Sequence, residues 1–100
     1  MVRSVLVLKA RSGRRDDVVA LFARLGVLRV SSAVPGFVGA ELHVAADGSD
    51  ELLVTATWES AEAYDTWLGH PERERMGPEL HELLAEPPVP RVYEIVSTEP

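Results

Sequence analysis

Residues 4–8, Ser-Val-Leu-Val-Leu, constrain the fold of this chain more than any other stretch. In a strand, successive side chains point to opposite faces. Val5 and Val7 therefore line one face and Leu6 and Leu8 the other, so both faces favour burial. The rest of the chain offers too few helices to cover a sheet on both sides. Some face of that sheet must then be covered by something outside the chain's own helices.

The remaining elements follow from periodicity and punctuation. The first strand spans residues 3–10. Ser12 is placed to cap a helix running through residues 14–33, with Val18, Leu21, Phe22, Leu25 and Leu28 at helical spacing. Asp16 and Asp17 fall in its first turns, where the helix dipole favours them. Gly26 and the β-branched residues after it weaken its second half. Residues 34–37, Val-Pro-Gly-Phe, make a turn. A second strand covers 37–44, with Val38, Ala40, Leu42 and Val44 on one face and Phe37, Gly39, Glu41 and His43 on the other. Asp47-Gly48 closes a hairpin, and the returning strand, 51–59, lines one face with Leu52, Val54, Ala56 and Trp58. Ser60 is an N-cap for a helix with Ala63, Tyr64, Trp67 and Leu68 on its apolar stripe. Gly69 ends it and Pro71 opens another. Met76, Leu80, Leu83 and Leu84 carry the stripe on, with a kink expected at Gly77-Pro78. Residues 91–97 form the last strand.

The order is β-α-β-β-α-β in one domain, residues 1–100. That is the α+β, ferredoxin-like split βαβ arrangement: a four-stranded antiparallel sheet with its helices on one face. The second face is left apolar, which is unexpected for a monomer in water. The expected remedy is a homodimer with two sheets packed face to face.

Composition removes several classes of function. Sixteen acidic residues against ten Lys and Arg give a net charge of −6, which argues against a nucleic-acid partner. The one basic cluster, Arg11, Arg14 and Arg15, is followed at once by Asp16 and Asp17 and reads as a solvated helix start. The absence of cysteine excludes disulfides, thiol catalysis and cysteine metal sites. No apolar run has the length of a membrane span and no signal-peptide pattern opens the chain, so the expectation is a cytoplasmic protein without a membrane partner. There is no phosphate-binding loop and no nucleophile elbow.

Three of the six aromatic residues gather where one strand turns into a helix: Trp58, Tyr64 and Trp67. Phe22 and Leu25 of the first helix, and Met76 and Leu80 of the last, should converge on them. The group is either plain core or the wall of a pocket for a flat ligand; indole and phenol groups, which need partners when buried, fit both readings. His43, His70 and His81 stand on separate elements with no helical pairing, so no metal site is expected. His43 is either a base or a residue of the dimer seam. His81, beside Leu80 and Leu84, edges the pocket if there is one, whereas His70 reads as solvated. Arg91 is either a surface charge or a group that stabilises an oxyanion. Glu41 and Glu94 lie within strands and have no carboxylate partner at a catalytic spacing.

The stretches PGFVGAELH (35–43) and ELLVTATWESAEAYDTWLGHPE (51–72) resemble the antibiotic biosynthesis monooxygenase family. The shared pattern is a Pro-Gly turn, a hairpin, a strand ending in Trp-Glu-Ser, and a helix carrying an aromatic residue and then Trp. The resemblance runs from about residue 3 to 97 and implies the dimeric α+β barrel. Members of the family include oxygenases that convert anthrones of polyketide pathways to quinones without any cofactor, cyclases and isomerases, and haem-degrading enzymes. The haem-degrading members match at Trp67, but Leu6 and Gly77 stand where they carry Asn and His, which speaks against haem. The resemblance thus implies a small cofactor-free oxygenase acting on a polycyclic aromatic substrate. Trp58, Tyr64 and Trp67 would hold the ring, His43 or His81 would take a proton, and Arg91 would face the oxyanion. A cyclase or isomerase in the same pocket and a non-catalytic dimeric ligand-binding protein are the alternatives.

Overall fold

Alternation of apolar residues at period two produces four strands in the computed structural model, which describes residues 1–100. They are β1 (Val2–Lys9), β2 (Phe37–Val44), β3 (Glu51–Trp58) and β4 (Pro90–Glu94). All pair antiparallel in the order β2-β3-β1-β4. Four helices, α1 (Arg15–Leu25), α2 (Val27–Ser31), α3 (Ala61–Leu68) and α4 (Pro71–Leu83), complete the ferredoxin-like α+β fold. The even-numbered side chains of β1 and β3 face the helices: Val2, Ser4, Leu8, Leu52, Ala56 and Trp58 are buried, and Leu6 and Val54 are partly buried against them. They join Val18, Leu21 and Phe22 of α1, Tyr64 and Trp67 of α3, and Met76 and Leu80 of α4 in one core. The ion pair between Arg24 and Glu79 ties α1 to α4 across the surface.

The opposite face of the sheet carries no helix. Register places Val5 beside Thr55 and Arg91, Val7 beside Leu53, and Arg3 beside Thr57 and Tyr93. Val7 is 39% and Tyr93 52% exposed. The two-faced strand is therefore real, with only one of its faces covered by this chain.

Several boundaries and orientations differ from the sequence reading. Helix α1 starts at Arg15, not after Ser12, because Gly13 at φ 75° carries the chain through a turn and donates its N–H to Asp50 on the β2–β3 hairpin. Gly26 is left-handed, at φ 60°, and splits the expected single helix into α1 and the one-turn α2. Helix α4 continues through Gly77-Pro78. Both residues, and Glu74 one turn earlier, lie on the exposed side, where solvent can serve the carbonyl that proline leaves without a donor. A bulge between Phe37 and Gly39 sets Phe37 opposite Trp58, so Phe37 belongs to the helix-covered face and packs edge-on against that indole with centroids 5.4 Å apart. Val38 is turned out to 49% exposure instead. β4 ends at Glu94, past which the Ile95 N–H makes one more bond to the Met1 carbonyl.

The turn at Gly36 is the tightest joint. Its φ is 90°, a Cβ there would lie 2.8 Å from the Ala63 Cβ, and its carbonyl accepts the Glu59 N–H at 2.7 Å. Replacing Gly36 by Ala combines a left-handed alanine with a clash against α3. The expected loss is about 2–4 kcal/mol, read as a lowered urea midpoint at unchanged slope.

Candidate functional site

The strand–helix junction is both core and pocket wall. Trp58 is 1% exposed, and its indole N–H donates to the Ser4 hydroxyl at 3.0 Å, so its polar handle is satisfied inside the protein. Ser60 caps α3 by accepting the Ala63 N–H at 3.3 Å. That cap points Tyr64 and Trp67 at the sheet, where both are buried. The Tyr64 ring lies 5.7 Å from Trp58, and the Trp67 ring 5.4 Å from His70. His70 is not simply solvated: its Nδ1 accepts the Glu72 N–H at 3.1 Å and caps α4.

A hollow of ≈40 Å³ remains between these rings and the sheet. Its floor is Ser4, Leu6, Ala40, Val54, Ala56 and Trp58; its roof is Val27, Leu28, Ser31, Tyr64, Trp67 and Arg73. A single aromatic ring needs a cavity on the order of 150 Å³. The expectation that Trp58, Tyr64 and Trp67 clasp a polycyclic ligand directly does not match this volume, because α2 and α3 sit close on the sheet. Beside the hollow, along α4, lies an open cleft of ≈170 Å³ lined by Leu6, Arg73, Met76, Gly77, Leu80, His81, Leu84 and Pro88. Leu6 and Arg73 line both spaces and form the partition between them.

The residues singled out in the sequence divide accordingly. Met76, Leu80 and His81 line the cleft, with His81 exposed on its rim. Tyr64 and Trp67 line the hollow behind it. Phe22 faces a shallow groove shared with Leu28 and Leu42, and Leu25 a pit of ≈20 Å³ beside Trp67. His43 and Arg91 are not brought to this site within one chain. Register with Leu53 and Val5 puts them on the helix-free face, where His43 Nε2 lies 3.1 Å from the Thr55 hydroxyl. No three His, Cys, Asp or Glu side chains converge in a metal-binding arrangement.

Arg73 is the residue the sequence reading missed. Five of the ten Lys and Arg residues pair with carboxylates, and Arg3 and Arg11 make hydrogen bonds. Of the remaining three, Arg29 and Arg91 are exposed, and only Arg73 is half-buried without a partner. The signal lay in spacing. Residues 69, 70, 76 and 77, its helical neighbours, are Gly, His, Met and Gly, so no carboxylate can reach it along the helix. It also shares the inward stripe with Met76 and Leu80. Next to it, Tyr64 makes no hydrogen bond through its hydroxyl. Burial pushes the phenol above its ordinary pKa; the Arg73 charge opposes that rise and Asp65 adds to it. Tyr64 therefore keeps its proton at neutral pH and offers a donor to the hollow.

Residues 1–77 match the family model described as antibiotic biosynthesis monooxygenase. No curated protein matches the chain in sequence. Among solved structures, it superimposes on Rv0793 from Mycobacterium tuberculosis with TM-score 0.83 at 24% identity, over 97% of this chain and 96% of that one. It superimposes equally, with TM-score 0.83 at 21% identity over 99% and 96% of the two chains, on SnoaB, a cofactor-independent oxygenase from Streptomyces nogalater. At such identities the likeness establishes the fold alone. No helix is long and apolar enough to cross a membrane.

Proposed function

The chain belongs to the antibiotic biosynthesis monooxygenase family, and on that premise we propose that it is a homodimeric, cofactor-independent oxygenase that converts an anthrone-like polycyclic aromatic substrate to a quinone. The observation that carries this reading is the pairing of two spaces at one partition: an apolar cleft wide enough for an aromatic ring, and behind it a hollow too small for a ring but large enough for a diatomic molecule. One terminal ring lies in the cleft against Met76, Leu80 and Leu84, the rest of the polycycle extends from the cleft's open mouth, and dioxygen occupies the hollow beside Tyr64 and Trp67.

The chemistry asks little of the protein. Removing a proton from an anthrone gives an electron-rich anion that can itself reduce oxygen. One electron passes to dioxygen, the two radicals join as a peroxide at the former CH2 carbon, and loss of water leaves a carbonyl there. One anthrone and one dioxygen give one quinone and one water, with all four electrons supplied by the substrate. The protein's part is to take the first proton, exclude water and hold both reactants. His81, on the rim of the cleft, is the proton acceptor in this reading, as the one imidazole among the residues that line it. His43 and Arg91 lie on the helix-free face and belong to the dimer seam.

An oxygen electrode with a phenolic anthrone tests the proposal. The wild-type protein should consume one oxygen per quinone formed, well above the spontaneous rate. His81→Ala should lower kcat by about 100-fold or more, with recovery at high pH, where the substrate ionises unaided. Trp67→Ala, which opens the hollow to water, should lower kcat/KM by roughly tenfold or more. Uptake no faster than the spontaneous reaction would refute the oxygenase reading. A product isomeric with its substrate, formed without oxygen, would indicate a cyclase or isomerase instead.

A further inference from the structure

The unpartnered Arg73 has a consequence for what the cleft accepts. The Arg73 residue is half-buried, and its guanidinium nitrogens keep contact with solvent while none of them meets a protein acceptor. It also stands in the first turn of α4, two residues after Pro71, where the positive end of the helix dipole disfavours a cation. Of the two acids next to it in sequence, Glu72 is engaged with Arg75 through both carboxylate oxygens at 2.9 and 3.0 Å, and Glu74 is exposed and makes no ion pair with it. An unpaired cation at a helix N-terminus thus stands at the partition between the cleft and the hollow.

We propose that Arg73 is the specificity-determining residue of the site, and that it selects aromatic ligands carrying an anionic oxygen on the ring edge that faces the hollow. The anion supplies the acceptor that the protein withholds. A planar guanidinium can hold a carboxylate through two parallel N–H bonds, or a single phenolate oxygen through two converging ones, which fixes the orientation of the ring as well as its charge. The rest of the ring meets Met76, Leu80 and Leu84, which discriminate little among flat apolar bodies. Tyr64, whose hydroxyl makes no hydrogen bond in the protein, lines the hollow together with Arg73 and is a second donor. This inference rests on the reading of the cleft as the substrate site; it adds that the substrate carries an anionic ring-edge oxygen when it binds, distinct from the CH2 proton that His81 then removes.

Calorimetric titration at pH 8 with 1-naphthoate and its neutral isostere 1-naphthamide separates the two ideas, since neither probe needs oxygen or turnover. The wild-type protein should bind the carboxylate roughly tenfold more tightly or better, as expected for a charge-assisted bond. Arg73→Gln should abolish that preference by weakening naphthoate alone. Arg73→Lys should keep part of it, having the charge without the fork. Thermal unfolding of Arg73→Gln should match or exceed the wild type, because a cation is removed from a helix N-terminus, and Arg73→Lys, which keeps the charge, should match it. Equal binding of the two probes by the wild type, a preference that survives in Arg73→Gln, or no binding of either probe overturns the proposal. Oxygen uptake by the wild-type protein with an anthrone is decided separately and can stand or fall on its own.

Discussion

Trp58→Ala should remove much of the fold's stability and bring its melting transition down toward physiological temperature. Trp58 is the largest fully buried side chain. It meets Phe37 edge-on, stacks near Tyr64, and is held by Ser4 through its indole N–H. Truncation removes these contacts and leaves a cavity that α2 and α3 cannot close without leaving the sheet. The expected cost is about 3–5 kcal/mol, against a total stability on the order of 5–15 kcal/mol for a domain of this kind. In melting temperature that is a fall of roughly 15–30 °C, readable by circular dichroism. Trp58→Phe separates packing from hydrogen bonding. It retains an aromatic ring but strands the Ser4 hydroxyl in the core, at about 1–3 kcal/mol. Adding Ser4→Ala should then cost less than it does in the wild-type background, since the unpartnered group disappears. Strict additivity in that double-mutant cycle would mean the Ser4–Trp58 bond contributes nothing.

Trp58 also shows how far the sequence could be read. Its place on an alternating strand with Leu52, Val54 and Ala56 assigned it to the helix-covered face, and that face is where it lies. Strand pairing, the Asp47-Gly48 hairpin and the Ser60 cap were legible because each depends on local spacing or on one residue's own chemistry. The Ser49 N–H bound to Asp47 at 2.9 Å and Gly48 at φ 80° are that chemistry in place. What the sequence hid were displacements of one residue. The bulge after Phe37 reverses the face of a side chain without any mark in composition, and the left-handed Gly26 cuts a helix whose apolar spacing continues unbroken. The site was less legible because it depends on helix-to-sheet distance. The same aromatic residues line a ring-sized pocket or a hollow of ≈40 Å³ according to how closely α2 and α3 approach, and periodicity does not encode that distance. Arg73 was readable in principle. A cation on an inward stripe with no acid at helical spacing is a local pattern, but in Pro-Glu-Arg-Glu-Arg it is masked by neighbours of alternating charge, of which Glu72 and Arg75 pair.

Leu53→Lys should convert a dimer to monomers while leaving the subunit folded. Leu53 sits at the middle of the helix-free face, opposite Val7 and beside His43. Charged side chains flank this apolar centre: Lys9 and Glu51 at one end, Arg3 and Arg91 at the other. An apolar middle with a charged margin is the usual anatomy of a self-associating surface, and a two-fold axis would bring the two Leu53 side chains near one another. In the isolated subunit Leu53 is only half-buried, so a lysine there can extend into water at little cost to folding. In the dimer the same substitution buries two like charges and removes two apolar contacts at once. The association should weaken on the order of a thousandfold or more, about 4 kcal/mol. Sedimentation velocity at about 10 μM should show a single dimeric species for the wild type and a monomer for the variant. A wild-type monomer at that concentration would refute the face-to-face arrangement. The cleft and hollow lie on the other side of the sheet, so a Leu53→Lys monomer should still bind 1-naphthoate. Loss of binding together with loss of the dimer would mean instead that the site needs the partner subunit, through a contact that crosses from one copy's helix-free face to the other's cleft.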